Sequence, residues 1–271
     1  PGFRFPEVRT FFEDNCISFA SLDSSQIRAV AKISTPQWDE DFFGFKTARI
    51  EILHGTDSAS VTDVLSDIKD YSVSQQIKLI TSRIRYDNFI SSQALESAGF
   101  RTVDALNVFL WDKERCSLPE TAETEQGSEI EIISERELGG TETDTVCRLA
   151  ADYLTHGRIS NDSRFSDEQA KRFYYKMTEG ILRKSDTVKI VARQGNKPVG
   201  FITGHKDLKL SSRLKEPLGH ISLITVDKSY RGKGIAHMLI RHFLNMLSKA
   251  VRYVELFTQL NTYSVLNLYS D

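Results

Sequence analysis

Short apolar runs rich in β-branched residues alternate along this chain with longer stretches whose apolar residues recur every three or four positions. Ala59 to Ser74 reads as a helix with Val61, Val64, Leu65 and Ile68 on one face and acids between them. Ile77 to Arg83 reads as a strand, Asn88 to Ala98 as a helix stopped by Gly99, and Arg101 to Leu110 as another strand. Glu129 to Ser134 predicts a strand and Thr141 to Leu154 a helix with Val146, Leu149, Ala150 and Tyr153 on one face. Asp167 to Arg183 is a long helix with an Asp-Glu start. Thr187 to Arg193 and Pro198 to His205 form a hairpin around Gly195-Asn196. Ile221 to Val226 is a buried strand. Ile235, Met238, Leu239, Phe243, Met246 and Leu247 then fall at helical spacing. A strand at Tyr253 to Thr258 and a helix from Asn261 to Tyr269 follow. Residues 1–35 hold scattered apolar clusters with no recognisable chemistry. Gln37 to Glu51 crowds Trp38, Phe42, Phe43 and Phe45 around Gly44, the pattern of an aromatic cluster at a turn into a strand.

The stretch Cys116 to Ser128 (CSLPETAETEQGS) breaks the periodicity with polar and acidic residues and reads as a linker. It divides the 271 residues into an N-terminal domain at 1–115, a linker at 116–128 and a second domain at 129–271. The net charge of −2 argues against general affinity for nucleic acid. Cys16, Cys116 and Cys147 are too far apart for a metal motif or a disulfide framework, so no metal and a reducing cytoplasm are expected. No apolar run approaches membrane-spanning length, and no membrane association is expected.

The densest chemistry lies at Leu218 to Lys249. A buried strand runs into a polar turn, Asp227 to Gly234 (DKSYRGKG), and then into an amphipathic helix. Glycines in such a turn let backbone N–H groups face inward, and the helix start adds partial positive charge, so the segment is built to hold an anion. It lacks the spacing of a Walker loop and the third glycine of a dinucleotide fingerprint.

Arg231-Gly232-Lys233-Gly234-Ile235-Ala236 resembles the Arg/Gln-x-x-Gly-x-Gly/Ala signature of the GCN5-related N-acetyltransferases (GNAT). The order of elements after residue 129 is similar to that family's fold. The segment Leu95 to Phe100 followed by a strand resembles the tail of another copy. The resemblance therefore implies an α+β (α/β) protein of two tandem GNAT-like domains. The first is partial and lacks a cofactor loop. The second is a mixed, mostly antiparallel sheet flanked by helices and carrying an acetyl-CoA loop. The family normally continues past Tyr269 into Gly-Phe and a final strand, so truncation after Asp271 is expected.

The resemblance implies acetyl-CoA as cofactor, its pyrophosphate on the amides of Arg231, Gly232, Lys233, Gly234, Ile235 and Ala236. Its pantetheine arm would lie along Leu223, Ile224, Thr225 and Val226, with Asn261 as a further cofactor contact. Plainer readings make Arg231 and Lys233 solvated charges and Asn261 a helix cap. Tyr269 matches the family tyrosine that protonates the leaving thiolate, and otherwise packs at a helix end. His220 is the candidate base, set by period-2 alternation on the same face as Ser222, Ile224 and Val226. Glu255, or a water chain beside a structural histidine, is the alternative base.

The aromatic segment at Trp38 and the Ser163-Arg164-Phe165 sequence are similar to the TDP-fucosamine, or TDP-amino-sugar, N-acetyltransferases. Arg158, Arg164 and Phe165 are then the acceptor-binding candidates, since guanidinium suits a diphosphate. Tyr174 and Tyr175 follow on the next helix. The implied partners are acetyl-CoA and a small amine, here a nucleotide-linked amino-deoxy sugar for polysaccharide synthesis, with a homodimer admitted. The alternatives are an acetyltransferase for small amines or protein N-termini, and a non-catalytic acyl-CoA-binding module.

Overall fold

The computed structural model describes residues 16–24, 26–116, 130–135, 138–208, 211–212 and 215–262. The chain divides into two units, Pro1–Thr102 and Val103–Asp271.

Unit 1 is a four-stranded sheet of β1 (Cys16–Asp23), β2 (Gln26–Ser34), β3 (Thr47–Gly55) and β4 (Leu79–Ser82), in that spatial order. The first three are antiparallel and β4 is parallel to β3. Between β2 and β3 lies α1 (Gln37–Phe43), closed by Gly44 at φ 72°. The expected turn is thus a short helix, whose buried Asp39 pairs with Arg49 at 3.5 Å. The parallel crossover requires a helix between β3 and β4, and α2 (Ser58–Ser74) supplies it. Its Val61, Val64, Leu65 and Ile68 bury against Ala31, Ile33, Ile50 and Leu53. α3 (Phe89–Ser97) ends near Gly99 at φ +89°, as its sequence predicts.

Unit 2 is a six-stranded sheet in the order β5-β10-β9-β8-β7-β6. The strands are β5 (Leu106–Asp112), β6 (Ile130–Glu135), β7 (Val188–Gln194), β8 (Lys197–Lys206), β9 (Leu218–Val226) and β10 (Tyr253–Gln259). β6 to β9 are antiparallel neighbours; β9 and β10 are parallel, with α6 (Ile235–Leu247) as their crossover. The strand expected at Arg101 to Leu110 corrects the domain boundary. It starts at Leu106 and pairs antiparallel with β10 throughout, so it belongs to unit 2 and not to the expected domain 1–115. Its Phe109 and Trp111 pack into the same core as Val254 and Leu256, a pairing between distant sequence segments that local periodicity does not encode. Most of the expected linker, and the expected helix at Asn261 to Tyr269 beyond Thr262, lie outside the described residues.

α6 covers one face of this sheet. Its Ile235, Leu239, Phe243, Leu244 and Leu247 pack on Ile202, Ile221, Val226, Val254 and Leu256. Leu239 and Phe243 are fully buried, each contributing about 1.5–3 kcal/mol of hydrophobic stabilisation. Gly204 makes the close approach possible, because a side chain there would strike the Phe243 ring. On the opposite face, α4 (Gly140–Tyr153) and α5 (Asp167–Leu182) pack Val146, Cys147, Leu149, Ala150 and Leu182 onto Val191 and Phe201. A capping box between Ser166 and Gln169 fixes the start of α5.

Candidate functional site

β9 and β10 pair only from Leu218–Tyr253 to Ile221–Leu256. Beyond that point they part. β10 continues along β5 through Gln259, while β9 follows β8 to Val226. Among the described residues, the β10-side edge of Ser222 to Val226 has no strand partner. The parting coincides with a β-bulge: Leu223 lies opposite Thr203 and Ile221 opposite Gly204, which leaves Ser222 as the extra residue.

The bulge overturns the expected alternation. Ile224 and Val226 pack with α6, on the same side as Ile221, whereas Leu223 packs against the α4–α5 cluster. His220 therefore does not share a face with Ile224 and Val226. One unpaired residue shifts every later side chain to the other face.

At the open end of β9 the chain enters the polar turn. Asp227 caps a short 3-10 turn at Lys228–Tyr230 by accepting from Ser229 N at 2.9 Å. Gly232 and Gly234 then take φ +77° and +74°, a backbone conformation that other residues adopt only at a cost. Gly234 is the N-cap of α6 and offers no side chain to the helix amides. The first helical hydrogen bond runs from Met238 N to Gly234 O. The amides of Gly232, Lys233, Gly234, Ile235 and Ala236 have no backbone acceptor among the described residues. They follow the parted strand edge directly in the chain, so among the described residues uncommitted donors, a positive helix end and a main-chain edge without a strand partner lie in one continuous segment.

The two cations of the turn behave differently. Arg231 turns back: its Nε donates to Val226 O at 3.1 Å and its guanidinium lies 5.1 Å from the Tyr153 ring centre. Its side chain thus ties the turn to the end of β9 while remaining exposed. Lys233 stays exposed, 5.1 Å from the Tyr230 ring centre, and Lys197 approaches the same ring at 5.7 Å. Tyr230 is held by its hydroxyl on Gln194 Oε1 at 2.5 Å.

Beside the parting, a polar row crosses three strands on the face away from α6. His205 on β8 faces His220 on β9 with ring centres 5.6 Å apart, and His205 Nδ1 lies 3.3 Å from Ser222 Oγ. His220 Nδ1 is 3.5 Å from Glu255 Oε1 on β10, close enough for an ion pair once protonated but without hydrogen-bond geometry. Burial, then the neighbouring His220, hold the His205 imidazole below its ordinary pKa. Phe257 on β10 and Val108 and Leu110 on β5 extend this face as an exposed apolar floor.

The loop between α4 and α5 carries the acceptor candidates. Arg164 grips buried Asp162, with Nε at 2.9 Å from Oδ1 and Nη2 at 2.6 Å from Oδ2, so its charge is already neutralised inside the loop. Arg158 is half-buried with its guanidinium 5.3 Å from the Phe173 ring centre, and Phe165 is half-buried. Tyr174 is buried beneath the loop, and burial raises its phenol pKa. Tyr175 donates to Asp144 at 2.8 Å instead of facing a cleft. Asn261 is exposed in the turn after β10, while Tyr269 lies outside the described residues. Among the described residues no group of three or more His, Cys, Asp or Glu could hold a metal ion, and no helix is long and apolar enough to cross a membrane.

Residues 151–270 match the family described as acetyltransferase (GNAT). The match lies wholly within unit 2. A curated relative, the spore coat polysaccharide biosynthesis protein SpsD of Bacillus subtilis (strain 168), is 28% identical over 137 residues. That alignment covers 49% of this chain and 45% of the relative, so the chain matches less than half of the relative's length. Among solved structures, a tandem GNAT protein from the clavulanic acid biosynthesis pathway superposes with a TM-score of 0.59 at 10% identity, over 96% of this chain and 80% of that one. A functionally unknown conserved protein from Staphylococcus epidermidis ATCC 12228 gives 0.57 at 13% identity, over 96% and 90%. At these identities the likeness concerns the fold, and it extends to both units: a GNAT-like domain follows a second, partial GNAT-like one.

Unit 1 repeats the parting but closes it. β3 pairs with β4 only as far as Ile50–Ser82 and then continues to Gly55 paired with β2 alone. There the buried Ser91 hydroxyl of α3 donates to Leu53 O at 3.3 Å. The helix start after β3 is filled from within, because Asp57 accepts from Ser60 N at 2.9 Å and pairs with Arg28 at 3.1 Å. The Ser60 amide, with Thr56 next, holds the Asp57 carboxyl at about 2. A carboxylate at this helix start opposes a second anion there.

Sequence reasoning missed His205 and Ser222. Both were visible as residues, but their contact depends on the bulge, for which the strand sequence carries no signal.

Proposed function

We propose that unit 2 transfers the acetyl group of acetyl-CoA to a primary amine, and that the acceptor is a nucleotide-linked amino-deoxy sugar. The observation that carries the first part is the set of amides from Gly232 to Ala236 that, among the described residues, have no backbone acceptor, next to a strand edge with no strand partner. The amides suit a pyrophosphate, and the edge of Leu223 to Val226 suits the amide-bearing pantetheine arm. Acetyl-CoA, when bound, supplies an activated thioester. The protein's task is then to orient it, deliver a neutral amine and protonate the departing sulfur.

His220 takes a proton from the acceptor ammonium in this reading, and Glu255, 3.5 Å away, steadies the resulting imidazolium. Tyr269 gives a proton to the leaving thiolate, and Asn261 contacts the cofactor from the turn after β10. The parting and the polar row lie side by side on β9, so thioester and amine meet without a change of fold.

The sugar acceptor is supported by the polysaccharide-pathway relative and by the apolar floor of Val108, Leu110 and Phe257, which suits the C–H face of a deoxy sugar. Because Asp162 neutralises Arg164, Arg158 is the loop's candidate for the nucleotide diphosphate, and Arg164 and Phe165 shape the loop around it. The reading includes a cytoplasmic enzyme and admits a homodimer. Mass-spectrometric product detection tests it, with acetyl-CoA offered against TDP-linked amino sugars, polyamines and peptides with free N-termini. A single acetyl added only to the nucleotide sugars is the expected result. Acetylation of the peptides or polyamines instead removes the sugar assignment, and tight acetyl-CoA binding without any acetylated product favours a binding module.

A further inference from the structure

The bulge that parts β9 from β10 places Ser222 at the mouth of the gap, and its hydroxyl meets His205 Nδ1 at 3.3 Å. That contact has two possible directions. A neutral imidazole with its proton on Nε2 accepts the Ser222 O–H. An imidazolium, or the other tautomer, donates to Ser222 Oγ and turns the hydroxyl proton outward.

We infer that neutral His205 is a positioning residue for the acceptor amine: it takes the Ser222 hydroxyl proton, and the Oγ lone pairs then receive an N–H of the amine at the parted edge. This rests on the acetyl-transfer reading and goes beyond it. An amine that donates one N–H to Ser222 has its lone pair fixed relative to the strand edge, which is the requirement for attack on a thioester lying along Leu223 to Val226. No covalent step passes through His205. The proton released by the amine goes to His220, and Ser222 keeps its own.

The surroundings favour the neutral form. His205 is packed into the sheet beside His220, and a second positive charge there would oppose the one His220 acquires. Glu255 faces His220 from the β10 side, Asp207 follows β8, and Lys184 and Asp186 approach from the segment before β7. Burial and the His220 charge outweigh the two aspartates, and the imidazole is held below its ordinary pKa. When His205 does protonate, Ser222 presents its hydrogen to the gap and opposes an amine N–H. Acid therefore disables the site through His205.

The test uses the full chain, acetyl-CoA and TDP-fucosamine as probe amine. On the acid side, log kcat/KM falls more steeply in the wild type than in His205→Asn, by one unit of slope, because the amide oxygen accepts the same hydrogen bond but does not titrate. Losing that neutral hydrogen bond lowers kcat/KM about tenfold in His205→Phe, whereas His205→Asn, which keeps an acceptor, stays within about threefold of wild type, and the His205→Phe loss does not add to that of Ser222→Ala. Nitrogen-15 spectra of the imidazoles decide the hydrogen bond without any acceptor. At neutral pH His205 should carry its proton on Nε2, with an Nδ1 shift that moves in Ser222→Ala. A protonated Nδ1, an unmoved shift, or an acid-side slope in His205→Asn equal to that of the wild type overturns the proposal. Calorimetric acetyl-CoA binding by the same samples separates its failure from that of the acetyl-transfer reading: wild type that neither binds acetyl-CoA nor forms product defeats the latter, while the nitrogen spectra still judge the former.

Discussion

Replacing Gly234 by alanine isolates what the loop backbone contributes to cofactor binding. Gly234 sits at φ +74°, and a Cβ built there meets nothing within 4 Å. The cost of the side chain is thus purely conformational. Holding an L-residue in the left-handed region costs roughly 1–2 kcal/mol. The protein can bear that strain or relax the turn, and relaxation rotates the amides of Lys233 to Ala236 out of convergence. If the bound state requires the strained turn while the free state relaxes, the dissociation constant for acetyl-CoA rises by about five- to thirty-fold. Gly232, at φ +77° and equally unhindered, should behave alike, and the double variant should approach the product of the two effects. Gly234→Asn is the control, since asparagine enters the left-handed region more readily and should recover part of the loss. Isothermal calorimetry with acetyl-CoA measures all four proteins, and thermal melts report whether the fold is intact. Wild-type affinity in Gly234→Ala, or equal losses in the alanine and asparagine variants, refutes the reasoning that backbone conformation aims these amides.

Other consequences follow from single contacts. Arg231→Gln removes the guanidinium from the Tyr153 ring and the tie to Val226 O, and should raise the KM for acetyl-CoA about three- to tenfold, with kcat less affected, in steady-state assays. Asp162→Ala frees the loop that Arg164 holds and should lower stability by about 1–2 kcal/mol in urea titrations, with the acceptor KM raised more than that of acetyl-CoA. Asp57 carries a folded-state pKa depressed from 3.8 to about 2, so its contribution is present above pH 4 and lost as pH falls through 2. Acid melts of Asp57→Ala should lack that component in unit 1 while acetyl-CoA binding stays at the wild-type level. The Cys147 thiol, raised to about 12 chiefly by burial, should resist alkylation in the folded protein, whereas exposed Cys116 should react, as thiol titration with and without denaturant will report.

The sequence made some of this architecture legible and hid the rest for identifiable reasons. α2, α5 and α6 were plain because one apolar stripe had to face a sheet, and the stripe survives in the burial of Val61, Phe173 and Leu239. The glycine turn was legible because Gly232 and Gly234 are demanded by backbone conformation, not by packing. β1 was missed because it is largely exposed, so that Ile17 and Leu22 lack the strict alternation of a half-buried strand. β5 was found as a strand but assigned to the wrong unit, since its partner β10 is distant in sequence and pairing is decided by tertiary packing. The bulge at Ser222 was invisible for a similar reason. It reversed the faces assigned to Ile224 and Val226, and it brought Ser222 to His205, which no spacing rule would have joined. Arg164 was read for its charge alone, and its carboxylate partner two residues away in the same loop had gone unweighed.

One physical claim is central: amides of the β9–α6 turn, next to a strand edge with no strand partner among the described residues, receive the cofactor. Backbone amide shifts recorded while coenzyme A is titrated into the full chain test it most directly. The largest changes should fall on Gly232 to Ala236 and on Ser222 to Val226, with Ser58 to Ser60 of unit 1 unmoved because Asp57 already occupies that helix start. Shifts concentrated in unit 1, or a silent turn between Arg231 and Ala236 at saturating coenzyme A, would contradict it.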